Sequence, residues 1–151
     1  MVNFKSLACA AFAAVAVANP VSPQKRQESG SVTCARNTYS ASQIDSAIYE
    51  GCNLHAEGQT VGRNDYPHAF HNREGLPLET DGPYQEFPIL TSGVYTGGKL
   101  HCVQHVELGL IELGSPGADR VVFNPNYNGE CVFVGAITHT GAPGNGFVSC
   151  E

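Results

Sequence analysis

The chain has 151 residues, a formal net charge of −6 and only 15% charged residues. Such an acidic protein does not coat nucleic acid through bulk electrostatics, so any polyanionic substrate must be gripped closely at a few groups. The length is that of about one domain, and the chain holds six cysteines.

Residues 1–18 read as a signal peptide. Lys5 precedes an apolar run that ends Ala16-Val17-Ala18, a small-x-small cleavage pattern. The run falls short of the roughly 18 to 20 apolar residues of a membrane helix. Residues 19–26 are proline-rich, end in the dibasic pair Lys25-Arg26, and read as a short pro-segment. The mature domain is then 27–151, long enough for one modest core. Loss of Lys5, Lys25 and Arg26 takes its formal charge to −9. Cys9 leaves with the signal, so Cys34, Cys52, Cys102, Cys131 and Cys150 form an odd set with several pairings open. Joining Cys34 to Cys150 would close a very long loop.

Residues 27–39 are polar and read as a short strand or hairpin. Residues 40–45 (SASQID) open the one convincing helix. Ser40 or Ser42 caps it, and Ser42 with Asp45 forms a weakened capping box. Ile44, Ala47, Ile48, Gly51 and Cys52 recur at three-to-four spacing, an apolar stripe suited to packing on a sheet. The helix should fade over 55–58. Residues 84–90, 120–123 and 132–138 are rich in β formers, and 147–150 is a short final piece. Glycine and proline clusters at 75–77, 96–98, 114–117 and 141–146 separate them. One helix followed by strands gives an α+β domain with a mainly antiparallel sheet.

Four segments carry ionisable residues of the kinds that phosphate chemistry uses. They are Tyr66-Pro67-His68, Gln85-Glu86-Phe87-Pro88-Ile89, the stretch from Gly117 through Asp119-Arg120 to Phe123, and Ile137-Thr138-His139-Thr140-Gly141. Residues projecting from neighbouring strands on one face lie roughly 5 Å apart, so Glu86, Arg120 and His139 can line one sheet face with His68 on a nearby strand. A carboxylate beside an arginine stays ionised, and a histidine near carboxylates stays cationic to higher pH. That equips Glu86 as a base, His139 as an acid and Arg120 as a planar clamp for phosphate. No serine or cysteine nucleophile motif stands beside them. RNA suits this equipment, because its 2′-hydroxyl is an internal nucleophile. On composition alone, Glu86 and Arg120 read equally as a structural ion pair, and each histidine as a satisfied polar residue.

The longer motifs decide between these readings. Tyr66-Pro67-His68, the run 84–89 (YQEFPI), 115–122 (SPGADRVV) and 135–142 (GAITHTGA) closely resemble the fungal guanyl-specific ribonucleases of the T1 type. The resemblance spans roughly 33–150. It implies one α-helix packed on a curved antiparallel sheet and metal-free cleavage of single-stranded RNA after guanosine through a 2′,3′-cyclic phosphate. It implies that Glu86 takes the 2′-hydroxyl proton with His68 assisting, and that His139 protonates the leaving 5′-oxygen. Tyr66 and Arg120 bind the phosphate, and Phe147 is the aromatic wall beside it.

The guanine-reading segment by the same resemblance is Phe70-His71-Asn72-Arg73-Glu74-Gly75. Backbone groups around His71 and Asn72 meet the base edge, and Glu74 accepts from guanine N1 and N2. Asn145 adds a backbone contact. His71 stands where asparagine is usual, and Arg73 where a stacking tyrosine is usual; an arginine can also stack on a base. The implied disulfides are Cys34 with Cys150 and Cys52 with Cys131, leaving Cys102 over.

Residues 99–114 (KLHCVQHVELGLIELG) have no counterpart in the family pattern. They hold Cys102, His101 and His105, ligand types that do not amount to a metal site here. Sixteen codons preserve the reading frame, and Gly98-Lys99 and Leu113-Gly114 can be encoded by splice-donor and splice-acceptor sequences. The segment therefore reads as a short intron retained in the chain. The expected protein is a secreted monomer acting on single-stranded RNA, with no cofactor, DNA or membrane partner. Two rival readings are a catalytically impaired RNA-binding or effector protein and a ribotoxin-like nuclease that cleaves ribosomes.

Overall fold

The computed structural model describes residues 30–98 and 114–151. The expected signal peptide and pro-segment, and positions 99–113 with His101, Cys102 and His105, lie outside the described residues.

The first element is a hairpin of β1 (Val32–Cys34) and β2 (Asn37–Tyr39), paired antiparallel. Helix α1 (Ala41–Ala56) follows. Its cap is Ser40, one of the two serines expected, and the capping box joins Ser40 to Gln43 rather than Ser42 to Asp45. Ser40 has extended backbone, its side chain accepts from the Gln43 N–H, and the Gln43 side chain accepts from the Ser40 N–H. Ser42 already lies inside the first turn, where its carbonyl accepts from the Ser46 hydroxyl, so it has no cap geometry to offer. Gln43 also donates to the Thr91 carbonyl at 2.8 Å, which pins the helix start to the loop beyond the sheet.

The remaining strands are β3 (His68–Phe70), β4 (Tyr84–Pro88), β5 (Asp119–Tyr127), β6 (Glu130–Thr138) and β7 (Val148–Ser149). They form one antiparallel sheet in that order. β5 and β6 join through Asn128-Gly129, both at positive φ, the two-residue turn that suits the twist of a hairpin. Register shifts at Val122/Phe123 and Asn124/Tyr127 bend this pair and curve the sheet.

Alternation along the strands creates two faces. Phe87, Val121, Phe123 and Ala136 turn toward α1 and join Ile44, Ala47 and Cys52 in the main core. The helix comes close because Gly51 faces the sheet: a Cβ there would lie 2.9 Å from the Phe123 ring and 3.1 Å from Phe87 Cβ. The opposite face carries a smaller cluster of Phe70, Val122, Val134 and Ile137 under Leu76, Leu78, Tyr84 and Phe147. The disulfides are Cys34–Cys150 and Cys52–Cys131, the pairs implied by the resemblance. The first joins the hairpin to the end of the domain, and the second ties α1 to β6.

Candidate active site

The site is built on the face opposite α1. His68 of β3 pairs directly with Glu86 of β4, and Glu86 pairs with Val122 of β5. Arg120 lies two residues before Val122 and so shares its face. His139 follows the last residue of β6 and is held by its backbone N–H to the Ala118 carbonyl. Tyr66, Glu86, Arg120, His68, His139 and Phe147 therefore converge on one cleft of about 320 Å³. All six residues expected to perform the chemistry are brought together.

Each is held by a definite partner. The Arg120 guanidinium is buried; its Nη1 donates to the carbonyls of Pro116, Gly117 and Asp119, and its Nε to the Tyr66 hydroxyl at 3.0 Å. Its Nη2 has no partner among the described residues. Arg120 also lies over the Tyr66 ring, 5.0 Å from its centroid. Burial raises the Tyr66 pKa despite the opposing Arg120 charge, so the phenol stays protonated and its O–H remains a donor. The neighbour of Arg120, Asp119, is a buried anchor: Asn37, the Tyr39 hydroxyl and the Thr138 hydroxyl donate to it at 2.8, 2.6 and 2.5 Å. Burial and this bond push the Tyr39 phenol far up. The network fixes the start of β5 against β2 and β6, and with it the position of Arg120.

His68 sits between two acceptors. Its Nδ1 meets the Asn64 carbonyl at 2.9 Å and its Nε2 meets Glu86 Oε1 at 2.7 Å. A ring that faces oxygen acceptors on both nitrogens is best satisfied as the imidazolium. The Glu86 hydrogen bond raises its pKa accordingly, against the opposing effect of burial. Its ring stacks on Tyr66 at 4.6 Å. The other carboxylate oxygen, Glu86 Oε2, is buried without a partner among the described residues.

The histidine held beside a carboxylate is thus His68. His139 has a different environment from the one expected of it. Its Nδ1 contacts the Gly146 carbonyl at 2.8 Å, and its ring stacks on Phe147 at 3.9 Å. A carbonyl can only accept, so Nδ1 carries a hydrogen and Nε2 is the nitrogen left for chemistry. Sequence reasoning missed Asn64, which lines the cleft and orients His68 through its carbonyl. A main-chain acceptor leaves no residue-type signal to find.

A second, smaller cavity of about 140 Å³ is lined by Phe70, His71, Asn72, Arg73, Glu74 and Phe147. Phe70 and Phe147 border both cavities, packed edge to face at 5.6 Å. Asn72 has a positive φ, and its side chain bridges to both the N–H and the carbonyl of Leu76, bracing the loop. Its side chain is thereby engaged within the loop. Glu74 Oε1 accepts from the Phe147 N–H at 3.2 Å. Asn145 lines the larger cleft rather than this one.

Residues 27–151 match a family model described as ribonuclease. The chain is 46% identical over 152 residues to guanyl-specific ribonuclease F1 of Fusarium fujikuroi, covering 100% of this chain and 98% of that one. It is 45% identical over 119 residues to an extracellular guanyl-specific ribonuclease, Fl1, of Gibberella baccata, covering 79% and 94%. It is 47% identical over 119 residues to guanyl-specific ribonuclease T1 of Aspergillus oryzae, covering 78% and 76%.

Proposed function

The chain belongs to the ribonuclease family of the fungal guanyl-specific enzymes, and on that footing we propose how its cleft cleaves RNA. The protein is an endoribonuclease that cuts single-stranded RNA after guanosine. Its reaction is transesterification. The Glu86 carboxylate takes the proton of the guanosine 2′-hydroxyl, and O2′ attacks the adjacent phosphorus. The bond from phosphorus to the 5′-oxygen breaks, and His139 Nε2 gives that oxygen its proton. The product is a 2′,3′-cyclic phosphate, which water opens to a 3′-phosphate with the two groups exchanging roles. Arg120 and the Tyr66 hydroxyl hold the non-bridging oxygens, in a preorganised site whose donors need not move as charge develops. His68 bonds Glu86 Oε1 at 2.7 Å and so holds the carboxylate in one orientation.

The observation that carries this assignment is Glu86 itself: one oxygen engaged by an imidazolium, the other buried and free, on the strand next to an anchored arginine. Glu74 and the backbone of the 70–75 segment read the base, because a carboxylate accepts from guanine N1 and N2 donors that adenine does not present in that pattern. The test is cleavage of GpC against ApC without added metal. GpC should be cut faster, activity should survive EDTA, and Glu86→Gln or His139→Ala should lower kcat/KM by about 10² to 10⁴. Equal rates on GpC and ApC would remove the base-reading role of this segment.

Two disulfides and the extracellular name of one relative support a secreted enzyme. We further read 27–151 as its mature form and 99–114 as retained intron sequence. A mature transcript that keeps those codons would sink the second of these readings.

A further inference from the structure

The described residues contain four arginines and no lysine. One arginine, Arg120, lines the cleft where the scissile phosphate reacts. Another, Arg73, lines the adjoining base cavity, with His71 two residues before it. Both Arg73 and His71 are exposed, and neither makes a hydrogen bond or ion pair among the described residues. Asn72 between them is fixed by its bonds to Leu76 and Gly75, so the backbone that presents both side chains is held in place.

The Arg73 charge is surplus to the reaction described above. The scissile phosphate has Arg120, Tyr66 and His139. The base is uncharged, and its N1 and N2 donors are matched by Glu74. A guanosine inside an RNA chain carries one further anion, the phosphate on its own 5′-oxygen. With the 3′ side in the large cleft and the base in the small cavity, Arg73 is the one arginine among the described residues that lines the base side. We propose that Arg73, with His71 beside it, forms a subsite for the phosphate on the 5′ side of the guanosine. The inference rests on the ribonuclease reading and extends its substrate from a single nucleotide to its upstream neighbour.

The chemistry fits the ligand. A guanidinium offers a planar fork to two phosphate oxygens, and an imidazole has at least one N–H to donate in any tautomer. The same guanidinium can lie over the base while its edge meets the phosphate, so stacking and anion binding do not compete. In a chain of net charge −6, a pair of unpaired donors at the cavity rim supplies local attraction that the molecule as a whole does not.

The test compares pGpC, which carries a 5′-phosphate, with GpC, which does not, at low salt. An exposed charge pair contributes enough to favour pGpC in kcat/KM by about fivefold. Added salt should shrink that ratio. Arg73→Ala should bring it to one, whereas Arg36→Ala, outside both cavities, should leave it in place. Titration with guanosine 3′,5′-bisphosphate and guanosine 3′-monophosphate reads the same preference without turnover. A wild-type ratio of one would overturn the proposal. So would a preference that survives Arg73→Ala, including the case where both substrates lose rate in equal proportion, since Arg73 would then act on the base alone. Failure to cleave GpC at all would count against the ribonuclease reading, while the titration would still decide the subsite.

Discussion

Glu86 and His68 face each other across β4 and β3, and their 2.7 Å contact sets the protonation of the site. The pKa of His68 is raised in the folded protein, chiefly by this hydrogen bond. Its pairing therefore adds stability below the ordinary histidine value of about 6.5 and loses that contribution as pH rises through the raised value. The side chain is 39% exposed, so solvent limits the effect to about 1 kcal/mol or less. In urea unfolding, His68→Asn should lose more stability against wild type near about pH 5.5 than near about pH 8.5. A loss independent of pH would show that the imidazolium pairing is not what holds His68. The sequence placed these side chains in one cluster through their motifs, but it left open which histidine meets the carboxylate. Which imidazole meets Glu86 depends on strand register, and register is set by long-range pairing that local residue types do not encode.

Helix α1 was legible from the recurrence of Ile44, Ala47, Ile48, Gly51 and Cys52, because an amphipathic stripe is a local signal. Its cap was left open between Ser40 and Ser42, since both offer the same hydroxyl and only backbone geometry selects Ser40. The stripe also holds a glycine whose role is visible only in the packing. Gly51 admits the Phe123 ring and Phe87 Cβ, so any larger side chain pushes α1 off β4 and β5. Gly51→Val should destabilise the protein by about 1 to 3 kcal/mol through overpacking. Equal denaturation midpoints for the variant and wild type would contradict this close approach. The strands around Glu86 and Arg120 were readable as β-rich runs, while β3 was placed only through its motif, as three residues carry too little periodicity.

At the scale of the molecule, the Cys34–Cys150 bridge spans 116 positions and Cys52–Cys131 spans 79. Both close long loops in a domain of modest size, and removal of either should cost about 2 to 5 kcal/mol. Cys34→Ser with Cys150→Ser should lower Tm clearly, and an unchanged Tm would contradict that role. The pairing was legible only by resemblance, because five mature cysteines leave several connectivities open. The fold places a base, an anchored arginine and an acid on the sheet face opposite α1, without a protein nucleophile among them. The account therefore requires the RNA 2′-hydroxyl to attack. The most direct measurement compares GpC with its analogue bearing 2′-deoxyguanosine. The prediction is conversion of GpC to guanosine 2′,3′-cyclic phosphate and no cleavage of the deoxy analogue. Cleavage of both at similar rates would contradict it.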